Sequence, residues 1–372
     1  MSRYRFQLAT QDDDAELREI LAVTPMPGRI SVSYRREPSY FEGAVVHGKF
    51  HQVILSRDGD LDQIVGFGSR SVRDCFVNGE TTPIGYLCNL RTRESYQGKG
   101  LLARGYAYLR KLHRDGKTNL YLTTIAEGNE RAVSLLTSGR AGLPCYSPEG
   151  NYHAIMLPVP RRRRIKPFCP IDVEVRPARP NDLQAVIDFC LRVGPQRQFF
   201  PKYDAADFFS GQSTFKNLKP EDLLLAFRDG RLIGTLGAWD QHGFKQSIVE
   251  SYPSYLHAVR PFYNWWADRS DRTKLPRPGT EVRYLTTALT LIENEDEEVF
   301  GSLLEHLLAR AADEPVSYVM LGMHDSDPLL KCVPMAKSRK YTGGLYLVYW
   351  QEGEALRRGL DDRPIYLEIG TL

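Results

Sequence analysis

The chain has 372 residues, 42% of them hydrophobic and 26% charged, enough for two or three cores at roughly 100–200 residues each. Its formal charge of +3 argues against a nucleic-acid or membrane partner, and no run approaches the roughly 20 apolar residues of a membrane span. The opening MSRYRFQLATQDDDAEL turns acidic with no apolar core, unlike a secretory leader, and six scattered cysteines without a Cys-x-x-Cys pair fit free thiols in a reducing cytoplasm and no metal site.

FQLATQDDDAELREIL reads as a strand, an acidic helix start and an apolar-periodic helix. In PMPGRISVSYRREPSYF, Arg29, Arg35 and Arg36 either attract an anion or stand solvated. Arg57-Asp58-Gly59 separates two apolar runs as a hairpin turn. A strand over Tyr86–Thr92 carries no carboxylate, so no on-strand base is available. RESYQGKGLLARGYAYL then sets Gly98 and Gly100 at the mouth of a helix over Leu101–Leu112. Such a bare backbone either closes its N–H groups on an anion or serves a turn needing two permissive residues. An apolar strand Leu120–Ile125, the segment NERAVSLL and a closing hairpin follow, the hairpin bearing Tyr146, Tyr152 and His153. In LPVPRRRRIKPFCPIDV three prolines break regular structure, and Arg161–Arg164 reads as a solvated run without the interleaved aromatics of a nucleic-acid patch.

The second half repeats the first. Arg228-Asp229-Gly230 again divides two apolar runs. Tyr86-Leu87 lies over Tyr284-Leu285, an offset of 198 residues that also carries Leu120–Ile125 onto Tyr318–Met323 and Asn129 onto Asp327. The division is residues 1–157, a linker 158–170, a second unit 171–350 and a tail 351–372. Each unit is of α+β class, a mixed, mostly antiparallel sheet flanked by helices. The aromatic insertion Tyr252–Gly279, with Trp265-Trp266, reads as a satellite core in preference to a binding surface. The alternating stretch Ile365–Ile369 predicts a strand returning to the first unit, bringing Glu368 or a terminal carboxylate on Leu372 near its site as a base.

QGKGLL (Gln97–Leu102) resembles the phosphate loop of the GNAT superfamily of acyl-CoA-dependent N-acyltransferases. Gly85–Thr92 is similar to its fourth strand and NERAVSLL to its Asn-x-x-Ala-x-x-Leu-Tyr segment, so three segments in order cover some 50 residues. The resemblance implies acetyl-CoA as acyl donor, with its pyrophosphate on Gln97, Gly98, Lys99, Gly100, Leu101 and Leu102. It implies pantetheine pairing along Leu90, Arg91 and Thr92, and Asn129 either holding the same arm or merely capping its helix. It departs at Leu102, where the family has Gly or Ala, and at Leu136, where a tyrosine often protonates the departing thiolate. Tyr146 stands as the substitute acid. The acceptor is a small-molecule or peptide amine.

At the same offset the loop becomes Glu295-Asp296-Glu297-Glu298, four carboxylates that repel a pyrophosphate. The second unit therefore keeps the fold without the cofactor, shaping the acceptor groove or forming a homodimer surface. Two alternatives remain: an aminoacyl-tRNA-dependent peptidyl transferase, opposed by the glycine loop and the modest charge, and a non-catalytic acyl-CoA binder, suggested by Leu102 and Leu136.

Overall fold

A computed structural model describes residues 3–25, 30–139, 142–160, 166–270 and 273–372; Arg29 and the Arg161–Arg164 run lie outside them. The first half contains β1 (Tyr4–Leu8), α1 (Asp14–Val23), β2 (Ser31–Arg35), α2 (Tyr40–Ala44), β3 (Phe50–Asp58), β4 (Gln63–Val77), β5 (Glu80–Thr92), α3 (Leu101–His113), β6 (Leu120–Ala126), α4 (Glu130–Leu136) and β7 (Cys145–Pro158). The second contains β8 (Val173–Pro177), α5 (Leu183–Val193), β9 (Leu223–Arg228), β10 (Arg231–Trp239), β11 (Gln246–Ser251), α6 (Ser254–Arg269), β12 (Tyr284–Ile292), α7 (Glu297–Ala311), β13 (Tyr318–His324), β14 (Arg339–Tyr349) and α8 (Glu354–Arg358).

The sheet is mixed and mostly antiparallel, and it is continuous across both halves. Its twelve strands run β1-β3-β4-β5-β6-β14-β7-β13-β12-β10-β9-β8, with β5–β6 and β12–β13 parallel. The repeat does not show how the halves close. Instead of ending in a hairpin, β7 leaves its own half and lies between β14 and β13, while β14 lies between β6 and β7. Each half therefore lends its last strand to the other. A second, two-stranded sheet joins the halves again, β2 against β11 with Arg35 opposite Gln246.

Both Arg-Asp-Gly turns connect antiparallel neighbours. In the second, Asp229 and Gly230 have φ of 50° and 75°, the left-handed pair a two-residue hairpin needs. The amphipathic helices cover the sheet. In α7, Val299, Phe300, Leu303 and Leu307 are fully buried, each contributing about 1.5–3 kcal/mol of apolar burial. Helix α6 packs Leu256 and Tyr263 on a satellite cluster of Val249, Tyr252 and Leu275, yet leaves Phe262 71% and Trp265 54% exposed.

The tail differs from its expected course. It makes no strand with the first half: Ile365 bridges Gln198, Tyr152 donates to the Leu367 carbonyl at 2.9 Å, and Ile369–Thr371 form a 3-10 turn. Gly370 lies so close to Trp239 that a Cβ would sit 2.5 Å from the indole. The tail is thus threaded between the halves.

Candidate active site

β5 and β6 pair at only two positions, Gly85 opposite Tyr121 and Tyr86 opposite Leu122, and then diverge. Gly85 fixes the point of divergence, because a Cβ there would meet the Tyr121 ring at 2.1 Å. β5 is bulged beyond it, with Asn89 at φ 55° between the pairs Ser69↔Cys88 and Phe67↔Arg91. The divergence opens a cleft of about 560 Å³. One arm of β5, Leu87–Thr92, forms one wall and Thr123–Ala126 of β6 the other, with α3 and α4 at its mouth.

Gly98 and Gly100 adopt φ of 78° and 70°, a left-handed geometry that favours glycine. Gly100 caps α3 without a side chain, and the first turn of α3 carries no acidic residue. Its first N–H groups therefore have no capping side chain, and the space above them is open, since a Cβ at either glycine would meet nothing within 4 Å. Lys99 lies with Nζ 4.4 Å from the Tyr96 ring centre, and Arg131 of α4 donates to Gln97 across the mouth. A pyrophosphate and an extended amide-bearing arm fit this arrangement of open amides, two flanking cations and parted strands.

Leu90, Arg91, Thr92, Gln97, Leu101, Leu102 and Asn129 all line the cleft, whereas Gly98, Lys99 and Gly100, between Gln97 and Leu101 in the chain, are not among its lining residues. Leu102 turns partly into the core beside Tyr106 and Leu109, so its departure from Gly or Ala leaves the loop clear. Asn129 caps α4, its Oδ1 accepting from Ala132 N–H at 3.3 Å. Tyr146 reaches the inner end of the cleft beside Leu136, and its hydroxyl is hydrogen-bonded to that of Tyr106. Burial pushes the Tyr106 phenol up to about 12 and Tyr146 well above its usual value, so both keep their protons at neutral pH. The sequence did not single out Tyr106 or Arg131. Tyr106 lies on the inward face of α3, where an aromatic reads as core.

His153, expected on a hairpin surface, is 3% exposed in β7 and bonds Asp325 at 2.5 Å. Leu372 lies with its main-chain oxygen accepting from Lys245 Nζ at 2.7 Å. Glu368, considered as a base for the first half, belongs to the second. Its carboxylate accepts from Leu289 N–H at 2.9 Å and from the Tyr366 hydroxyl at 2.7 Å.

The second half shows what became of the duplicate site. Leu289 at φ 49° is the counterpart of Asn89, at the matching bulge of β12. The bulges are thus 200 residues apart, β6 and β13 keep the offset of 198, and the caps Gly100 and Asp296 stand 196 apart. The strand alignment of Tyr86 with Tyr284 is therefore two residues out of register. Four residues have also been lost between bulge and helix, so the glycine loop is deleted and not replaced by four carboxylates. Asp296 caps the start of α7, its Oδ1 accepting from the N–H groups of Glu298 and Val299 at 3.1 Å, and Glu297 and Glu298 occupy the first turn. The bulge amide is taken by Glu368. Arg197, 1% exposed, bonds Asp327 at 2.9 Å and reaches Glu295 at 3.5 Å, bridging the ends of β12 and β13. In the second half the bulge amide of β12 and two amides at the start of α7 are thus taken by side chains of the chain itself.

Residues 16–139 match the family model of the Acetyltransferase (GNAT) family. No curated protein matches the sequence. Among solved structures, a GCN5-related N-acetyltransferase from Sphaerobacter thermophilus is 10% identical with a TM-score of 0.56, covering 100% of this chain and 99% of that one. A tandem GNAT protein from the clavulanic acid biosynthesis pathway is 13% identical with a TM-score of 0.54, covering 93% and 98%. A glucosamine N-acetyltransferase region of a fungal multi-domain GH3 beta-N-acetylglucosaminidase is 15% identical with a TM-score of 0.58, and the match covers 92% of this chain but 38% of that longer one. At these identities the likeness is one of fold.

Proposed function

We propose that this chain, whose residues 16–139 match the GNAT family model, carries out N-acetyl transfer from acetyl-CoA to a primary amine, by direct transfer in the β5–β6 cleft. The observation that carries this reading is the uncapped start of α3 behind two left-handed glycines, beside strands parted at Gly85.

The main-chain N–H groups from Gly98 to Leu102 would hold the pyrophosphate, with Lys99 and Arg131 adding positive charge. The free edge of Leu90–Thr92 would pair with the pantetheine amides, with Asn129 opposite. Acetyl-CoA supplies the activated thioester; the chain supplies placement. An N–H of the β5 bulge near Asn89 and Leu90 is the donor placed to polarise a carbonyl lodged in the cleft. Tyr146, holding its proton and paired with Tyr106, is the acid nearest the inner end. A lysine-like acceptor, with a pKa near ~10.4, must lose a proton first. Six cysteines, none bonded to another, support a cytoplasmic setting; among the described residues no helix is long and apolar enough to cross a membrane.

The test is release of free CoA from acetyl-CoA across a panel of primary amines. Turnover that disappears in Gly100→Glu, with the fold retained by circular dichroism, supports the proposal. Acetyl-CoA binding without release on any amine would leave a binder in place of an enzyme.

A further inference from the structure

Behind the β5 bulge lies a group of cations that includes two arginines without a carboxylate partner among the described residues. Arg36, just after β2, is 5% exposed. One of its terminal nitrogens, Nη2, bonds His47 Nε2 at 2.9 Å, and its guanidinium carbon lies 5.0 Å from the Tyr40 ring centre. The other, Nη1, is buried with no hydrogen-bond partner among the described residues. Arg91 reaches the same place from β5. Its Nη1 donates to the Leu90 carbonyl at 3.1 Å, and its buried Nε has no partner either. His51 stacks on His47 at 5.1 Å with its own Nε2 buried and unpartnered.

Among the described residues neither Arg36 nor Arg91 has a carboxylate within 4.0 Å. Glu250 is occupied by Ser33 at 2.5 Å and Arg35 at 3.4 Å. Cys88, which feels Arg36, Lys245 and Arg91 together, has its thiol pushed up by burial to about 11 and so carries no charge at neutral pH. His51 is held neutral, pushed down to about 3 by burial and by Arg36. Lys245 is a third cation of the group, its ammonium against the Leu372 oxygen and pushed down to about 7 by burial and by Arg36. An uncompensated buried guanidinium costs several kcal/mol, so a fold that buries Arg36 beside the half-buried Arg91 has a use for an incoming anion.

Their position decides which anion. Cys88 and Arg91 also line the acyl-CoA cleft, so this group adjoins the place where the acyl carbon would lie. We propose that the acceptor is an amine carrying its own oxyanion, a carboxylate or a phosphate, and that Arg36 and Arg91 hold the oxyanion while the amine faces the thioester. The inference rests on the first half being the acyltransferase. The same fixed charges also favour loss of a proton from the incoming ammonium, because like charges nearby destabilise its charged form.

The experiment compares matched acceptors on the full chain with acetyl-CoA: phenylalanine against phenethylamine, and phosphoethanolamine against ethanolamine. The expected result is a kcat/KM about 10- to 100-fold higher for at least one anionic member over its neutral partner. In Arg36→Gln that preference collapses through KM of the anionic acceptor, with acetyl-CoA affinity unchanged, and Arg36→Lys restores part of it. The carboxylate and phosphate pairs separate the two sources of oxyanion. Equal turnover of both members of each pair overturns the proposal and leaves acetyl transfer standing. CoA release on none of the amines removes the acyltransferase reading and this one with it. If Arg36→Gln fails to fold, the wild-type ratios alone decide.

Discussion

Two glycines and two carboxylates set the halves apart. Gly98 and Gly100 occupy a backbone region that costs other residues roughly 1–2 kcal/mol, and the open space above them leaves the amides for a ligand. Asp296 and Glu368 fill the equivalent amides of the second half from within. Glu368 carries a cost that can be measured. Burial pushes its carboxyl from 4.5 up to about 7, outweighing its bonds to Leu289 and Tyr366. The folded chain therefore binds a proton more tightly than the unfolded chain between those values. Stability from this group is present at the acid end of the window and falls as pH rises from about 4.5 to 7, a loss on the order of 3 kcal/mol. Glu368→Gln, which keeps an acceptor for Leu289, is expected to flatten that slope and raise Tm at pH 8. A slope unchanged in the variant would assign it to other groups. The glycines were legible because a positive φ demands a residue type. Glu368 was not, because its partner amide is 79 residues away and the alternation around it resembles a strand.

At the scale of elements, the same strand–loop–helix unit appears with and without its loop. Where four residues are missing, α7 starts directly on Asp296 and buries its N-terminal amides against a side chain. Asp296→Ala is expected to cost about 1 kcal/mol as a lost N-cap, read as a fall in Tm or urea midpoint. It should create no acetyl-CoA site, since the bulge amide stays with Glu368 and Arg197 still bridges the strand ends. Acquired binding would show that Asp296 alone had closed the second site. The sequence conveyed the order of strands and helices because apolar periods and turn residues are local. It misjudged register in β12, because a bulge adds a residue without changing the apolar pattern. It also misplaced β7 and β14, because an alternating strand reads the same whichever neighbour completes its hydrogen bonds.

The exchange of β7 and β14 makes the whole molecule one mechanical object. Removing the second half would expose the edge of β6 and leave β7 without either neighbour. Calorimetry is therefore expected to show a single unfolding transition for both halves, and two well-separated transitions would mean the strands contribute little coupling. The junction also carries the tail and the Arg36, Lys245 and Cys88 group, so the second half helps build the surroundings of the β5–β6 cleft. The central claim, one open anion site and one closed one, is tested most directly by titrating acetyl-CoA into the full chain by calorimetry. One site per chain, lost in Gly100→Glu and retained in Asp296→Ala, is the predicted result. Two sites, or one that survives Gly100→Glu, would contradict it.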